Sequence, residues 1–149
     1  MKKVLGMSLL IFVVLGCTFV PARAQQDRWE AQVRRQLRQQ AQALNILADG
    51  DIEEPYAPFI RSLNQDRYQD VNYRLVRGVT YVFTGACDED CRDLDLKLFG
   101  NGTKLKEDVE PDDTPIIAFR PEWTGTYTLR VIMANCNREP CRFGVGIFR

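Results

Sequence analysis

The chain has 149 residues, enough for one domain with a real core, and its 45% hydrophobic and 27% charged content is that of an ordinary globular protein, not of a disordered chain or a membrane bundle. Twenty Lys and Arg balance 20 Asp and Glu, so no basic excess points to nucleic acid. Histidine is absent, which removes Ser-His and Cys-His nucleophile pairs, a histidine base and every His-containing zinc or copper site.

Residues 1–24 read as a secretory leader: Lys2 and Lys3, an apolar run from Leu9 to Val20 broken at Gly16-Cys17-Thr18, then Pro21-Ala22-Arg23-Ala24. The A-x-A pattern predicts cleavage before Gln25, and the composition is that of a signal, not a membrane span. A rival reading takes Val14-Leu15-Gly16-Cys17 as a lipoprotein box that anchors Cys17. Removing the three leader bases from 20 leaves 17 against 20 acids, a mature net charge of −3. The only serine outside the leader is Ser62.

Residues 25–50 read as one helix. Asp27 and Glu30 form a capping-box-like start and Gly50 a natural stop. Trp29, Val33, Leu37, Ala41, Leu44 and Ala48 make a single apolar stripe whose steps are longer than a coiled-coil heptad allows, so the helix is expected to lie against the domain or tether it, with a helix-mediated dimer or a partner-docking helix as the alternative. Pro55 and Pro58 break any continuation, and 51–64 reads as a linker ending in a short edge strand.

Residues 65–149 read as the sandwich domain, and from Gln69 onward the period is two. Val71, Tyr73 and Leu75 alternate with polar neighbours, as do Tyr81 and Phe83, then Leu94, Leu96 and Leu98, then Tyr127, Leu129, Val131 and Met133, and finally Phe143, Val145 and Ile147. Asn101-Gly102 predicts a tight hairpin between 93–99 and 104–106. It also accounts for Asn101-Gly102-Thr103, which matches a glycosylation acceptor. The expected fold is mainly β: an antiparallel jelly-roll-like sandwich of about eight strands after one amphipathic helix.

Leu94-Asp95-Leu96-Lys97-Leu98 followed by Thr124-Gly125-Thr126-Tyr127-Thr128-Leu129-Arg130-Val131 resembles the bacterial pre-peptidase C-terminal domain, over roughly residues 65–149. The resemblance implies a sandwich and a non-catalytic accessory role. Within these 149 residues no peptidase domain is expected beside it.

Four cysteines remain after the leader: Cys87, Cys91, Cys136 and Cys141. An even number in an exported chain predicts two disulfides, and local pairing, 87 with 91 and 136 with 141, is favoured over crossed pairing. With strands running antiparallel in order, loops 87–92, 107–114 and 135–141 share one end of the sandwich and bring both cysteine pairs together with many acids. Clustered carboxylates there suit a calcium ion, with Asp88, Asp90, Asp112 and Asp113 as ligands and Asp93 in reserve. The competing reading is solvated, turn-forming loops. Asp93 and Asp95 as an acid/base pair lack a visible pocket. Tyr81, Tyr127 and Phe143 fall on the inward parity, which leaves Trp123 as the candidate exposed contact for a sugar. The expected function is a secreted or periplasmic, non-enzymatic binding module that meets a protein or cell-envelope surface component. A polysaccharide partner is the alternative, and neither nucleic acid nor a membrane span is expected.

Overall fold

The computed structural model describes residues 22–48 and 52–149. The apolar run of the expected leader, Cys17 and the helix stop at Gly50 lie outside these residues. Among the described residues no helix is long and apolar enough to cross a membrane.

Helix α1 spans Ala22–Ala48. It begins before the expected cap at Asp27, because Ala-Arg-Ala-Gln-Gln is a run of good helix formers that continues the same geometry backwards. Eight strands follow: β1 (Phe59–Leu63), β2 (Arg67–Leu75), β3 (Tyr81–Cys87), β4 (Cys91–Gly100), β5 (Thr103–Asp108), β6 (Ile116–Phe119), β7 (Gly125–Cys136) and β8 (Cys141–Phe148). They form two four-stranded antiparallel sheets, ordered β1-β8-β3-β6 and β2-β7-β4-β5. The pairs β4·β5, β3·β6, β2·β7 and β1·β8 nest around the Asn101-Gly102 turn as one long hairpin rolled on itself, which is a jelly roll. Asn101 and Gly102 both hold positive φ, 51° and 79°, as a type I′ hairpin requires.

The alternation seen in the sequence puts Leu94, Leu96, Leu98, Leu129, Val131 and Met133 of one sheet against Phe83, Ile117, Phe143, Val145 and Ile147 of the other, all buried. Tyr81, Tyr127 and Phe143 are core residues, as their parity predicts. Strands β3 and β8 are buried on both faces. Their outward positions carry Ala86 and Gly144, and α1 lies over them. Val33 and Leu37 pack against Ala86, with Ile60 alongside, and Gln40 Nε2 donates to the Gly85 carbonyl at 2.8 Å. Burying two such apolar side chains is worth about 1.5–3 kcal/mol each, which holds the helix on the sheet.

The stretch read as a linker is itself docked. Glu53 exchanges two backbone hydrogen bonds with Arg149, both 3.0 Å, and Tyr56 donates its hydroxyl to the Arg74 carbonyl at 2.7 Å. Its expected edge strand is β1, paired with β8.

Four connections cross from sheet to sheet at one end of the sandwich: β1–β2, β3–β4, β5–β6 and β7–β8. The β4–β5 hairpin, the β2–β3 turn with Gly78 at φ 77° and the β6–β7 turn lie at the other end.

Candidate functional site

The end with four crossovers gathers the loops that the sequence grouped together. Both disulfides are local: Cys87–Cys91 with Cα atoms 5.9 Å apart and Cys136–Cys141 with 6.0 Å. Each closes a loop at a strand junction, and Cys91 and Cys136 face each other across β4 and β7. Two disulfides fit an oxidising, extracytoplasmic setting.

Backbone hydrogen bonds tie the loops to one another. Asn137 N donates to the Asp90 carbonyl at 2.8 Å, and Leu94 N to the Asp112 carbonyl at 2.9 Å. The β1–β2 turn joins through Gln65, whose N–H donates to Glu139 Oε1 at 2.8 Å and whose Oε1 accepts from Cys136 N at 3.2 Å. The helix reaches the same end through Arg28, 3.4 Å from Glu89.

Asp88 lies deepest, 2% exposed. Its N–H donates to the Arg142 carbonyl at 3.0 Å, and its Oδ2 accepts the Arg142 N–H at 2.8 Å. Its own carbonyl turns away to accept from Cys91 N at 3.1 Å. The side chain thus takes the place that a main-chain carbonyl would hold if β3 continued along β8. Burial pushes the Asp88 carboxyl above the usual carboxylate range, against the pull of the Arg142 N–H and with a smaller push from Asp90. Oδ1 is enclosed and makes no hydrogen bond.

The other acids serve their own loops. Asp108 accepts from Glu110 N at 3.2 Å and from Ile116 N at 2.8 Å, and Asp112 Oδ1 accepts from Thr114 N at 2.8 Å. The bonds from Glu110 and Thr114 are Asx-type turns, the reason such loops favour aspartate, and the bond from Ile116 ties the loop's two ends together. Asp113 is half-buried, its carbonyl oxygen 3.8 Å from the Cys87 sulfur. Among the described residues no three Cys, Asp or Glu side chains form a group able to hold a metal ion. Asp88, Asp90, Asp112 and Asp113 form no such group. Asp93 and Asp95 lie half-buried on the outward side of β4. Burial raises both carboxyls, with Asp112 adding its charge at Asp93 and Asp93 adding its own at Asp95.

What this end offers to a partner is a mixed surface of exposed Glu89, Arg92, Glu110, Arg138 and Glu139 beside Val109, which is 48% exposed. Val109, Glu110 and Pro111 also line a shallow depression of about 330 Å³.

Trp123 is at the opposite end and is half-buried, not an open contact. Its ring stacks on Tyr127 with centroids 5.1 Å apart and planes at 23°. It fits because Gly100 and Gly125 carry no side chain: a Cβ on Gly100 would stand 2.9 Å from the indole, and one on Gly125 3.1 Å. Those flanking glycines were the sequence signal for a packed indole. Arg142 and Gln65, which brace the stapled end, act largely through backbone and amide groups and carry no motif.

No protein-family model matches the chain, and no curated protein matches it.

Proposed function

We propose that the chain is an exported, non-catalytic binding or accessory module, periplasmic or secreted, that meets a protein or envelope-surface component with its cystine-stapled end. The observation that carries this reading is the cross-bracing: two of the four crossover loops are each closed by a disulfide, and the four are tied to one another by the Asp88–Arg142 pair, the Asn137–Asp90 and Leu94–Asp112 bonds and the Gln65 bonds to Glu139 and Cys136. Loops held on a rigid sandwich are where recognition surfaces concentrate, and their ordering entropy is met before a partner arrives. The resemblance to the pre-peptidase C-terminal domain supports an accessory role of the same kind.

Photo-crosslinking in the exported protein tests the surface. A crosslinker in place of Glu89 is expected to yield a discrete adduct with an envelope component, and one in place of the exposed Glu122 in the β6–β7 turn at the opposite end is not. Adducts from neither position, or equally from both, would refute the assignment.

A further inference from the structure

Helix α1 covers the outer face of the β1-β8-β3-β6 sheet, while the outer face of the β2-β7-β4-β5 sheet is open among the described residues. Its centre is Arg130 on β7. Arg130 Nε and Nη2 donate to Asp70 Oδ1 and Oδ2 on β2, each at 2.8 Å. Its guanidinium carbon lies 4.0 Å from the centre of the Tyr68 ring on β2 and 5.4 Å from that of Phe99 on β4. The two rings therefore stand on the strands flanking β7, with the guanidinium near both. One step along, Thr128 Oγ1 donates to Asn72 Oδ1 at 2.8 Å. A depression of about 300 Å³ opens over these groups and runs to the β4–β5 turn; Asp70, Phe99, Thr126, Thr128 and Arg130 form most of its lining.

Three properties of this cleft select a ligand class. The two charges that line it, Arg130 and Asp70, cancel as a pair, so a charged ligand gains no net field there. Cross-strand bonds fix the polar groups in advance and leave Arg130 Nη1 and the Asn72 amide N–H groups without a protein partner among the described residues. Such preset donors lower the ordering cost of binding. One wall is aromatic, Phe99, and beyond Arg130 stands Tyr68, 56% exposed, although a large apolar ring on an open sheet face gains more when covered. A hexopyranose matches all three: it is uncharged, it carries a rim of hydroxyls that both donate and accept, and it presents an apolar C–H face to a ring. Aromatic walls with a few fixed polar groups are also the usual makeup of small-molecule sites.

We propose that this face binds a neutral saccharide chain, its sugar rings lying along β7 over Phe99 and the Arg130 guanidinium, with Tyr68 at the far edge. The site is separate from the stapled end and does not depend on it. The test is an array of neutral and acidic microbial and plant glycans probed with the full-length, disulfide-intact protein, followed by calorimetry with the strongest soluble neutral oligosaccharide. Tyr68→Ala and Phe99→Ala are each expected to weaken binding about tenfold at unchanged melting temperature, while Glu89→Gln leaves it intact. Tyr68 is exposed, so its variant keeps the test open if Phe99→Ala unfolds. Binding of no neutral glycan, binding of acidic glycans alone, or binding indifferent to Tyr68→Ala would overturn the proposal. Loss of binding in Glu89→Gln would overturn it as well, by moving the glycan to the stapled end.

Discussion

The carboxylate of Asp88 accepts the backbone N–H of Arg142 at 2.8 Å, joining residues 54 apart in the sequence where β3 leaves the sheet. One side chain thereby completes the ladder of β8 and lets the chain turn into the first cystine loop. Replacing it with alanine leaves a donor at the loop junction unpaired, which costs about 1–3 kcal/mol. Urea unfolding of Asp88→Ala is expected to show a lower midpoint with unchanged slope. An unchanged midpoint would mean that the loop is held by its disulfide alone.

The same carboxyl gives a signed pH dependence. Burial raises its native pKa above the ordinary value of about 3.9. The native state then holds the proton more tightly, so the contribution of Asp88 to stability falls as pH rises from about 4 through the native value. Asp88→Asn removes that fall. Its stability relative to the parent is expected to improve between pH 4 and pH 7 in parallel urea titrations, and a difference that is flat or worsens over this range would contradict the raised carboxyl. Asp70 has the opposite sign: the Arg130 hydrogen bond holds its carboxyl low, so its contribution is present above about pH 3.9 and is lost as pH falls through the native value. That pair is partly exposed and is worth at most about 1 kcal/mol.

Much of the jelly roll is legible in residues 65–149 because a strand with one buried face declares that face every second residue. The Asn101-Gly102 turn, the core positions of Tyr81, Tyr127 and Phe143 and the common end of three loops all follow from parity and turn chemistry. Alternation says which face a residue takes, not which strand lies beside it. The pairing of β2 with β7, and with it the Asp70–Arg130 pair 60 residues apart, is invisible locally. The acidic loops are less legible for a related reason: a carboxylate that caps a backbone N–H and one that waits for a cation have the same letter. Asp108 and Asp112 are distinguished only by the loop geometry around them.

The disulfides close short loops, with cysteines four and five residues apart in sequence, so each contributes roughly 2 kcal/mol in the chain-entropy model. Replacing Cys136 and Cys141 together by alanine is expected to lower the melting temperature by roughly 5–10 °C while leaving the far-ultraviolet circular dichroism of the sandwich in place. A larger loss that also erases the β signal would show that the staple sustains the whole fold and not the loops alone.

Gly144 and Val33 should be energetically coupled, because β8 has no room for a side chain beneath the helix. A Cβ on Gly144 would stand 2.6 Å from Val33 Cγ1 and 2.9 Å from Leu37 Cδ1, closer than packed carbons tolerate. Gly144→Ala is expected to cost about 1–3 kcal/mol through overpacking. Val33→Ala alone loses apolar burial, yet in the Gly144→Ala background it clears the space the new methyl needs. The double variant should therefore be more stable than the sum of the two single changes predicts, by about 0.5 kcal/mol or more, in a urea-denaturation cycle. Strict additivity would mean that the helix shifts freely over β8. In that case proteolysis between α1 and β1 should rise in Gly144→Ala, which the docked arrangement of Glu53 with Arg149 otherwise resists.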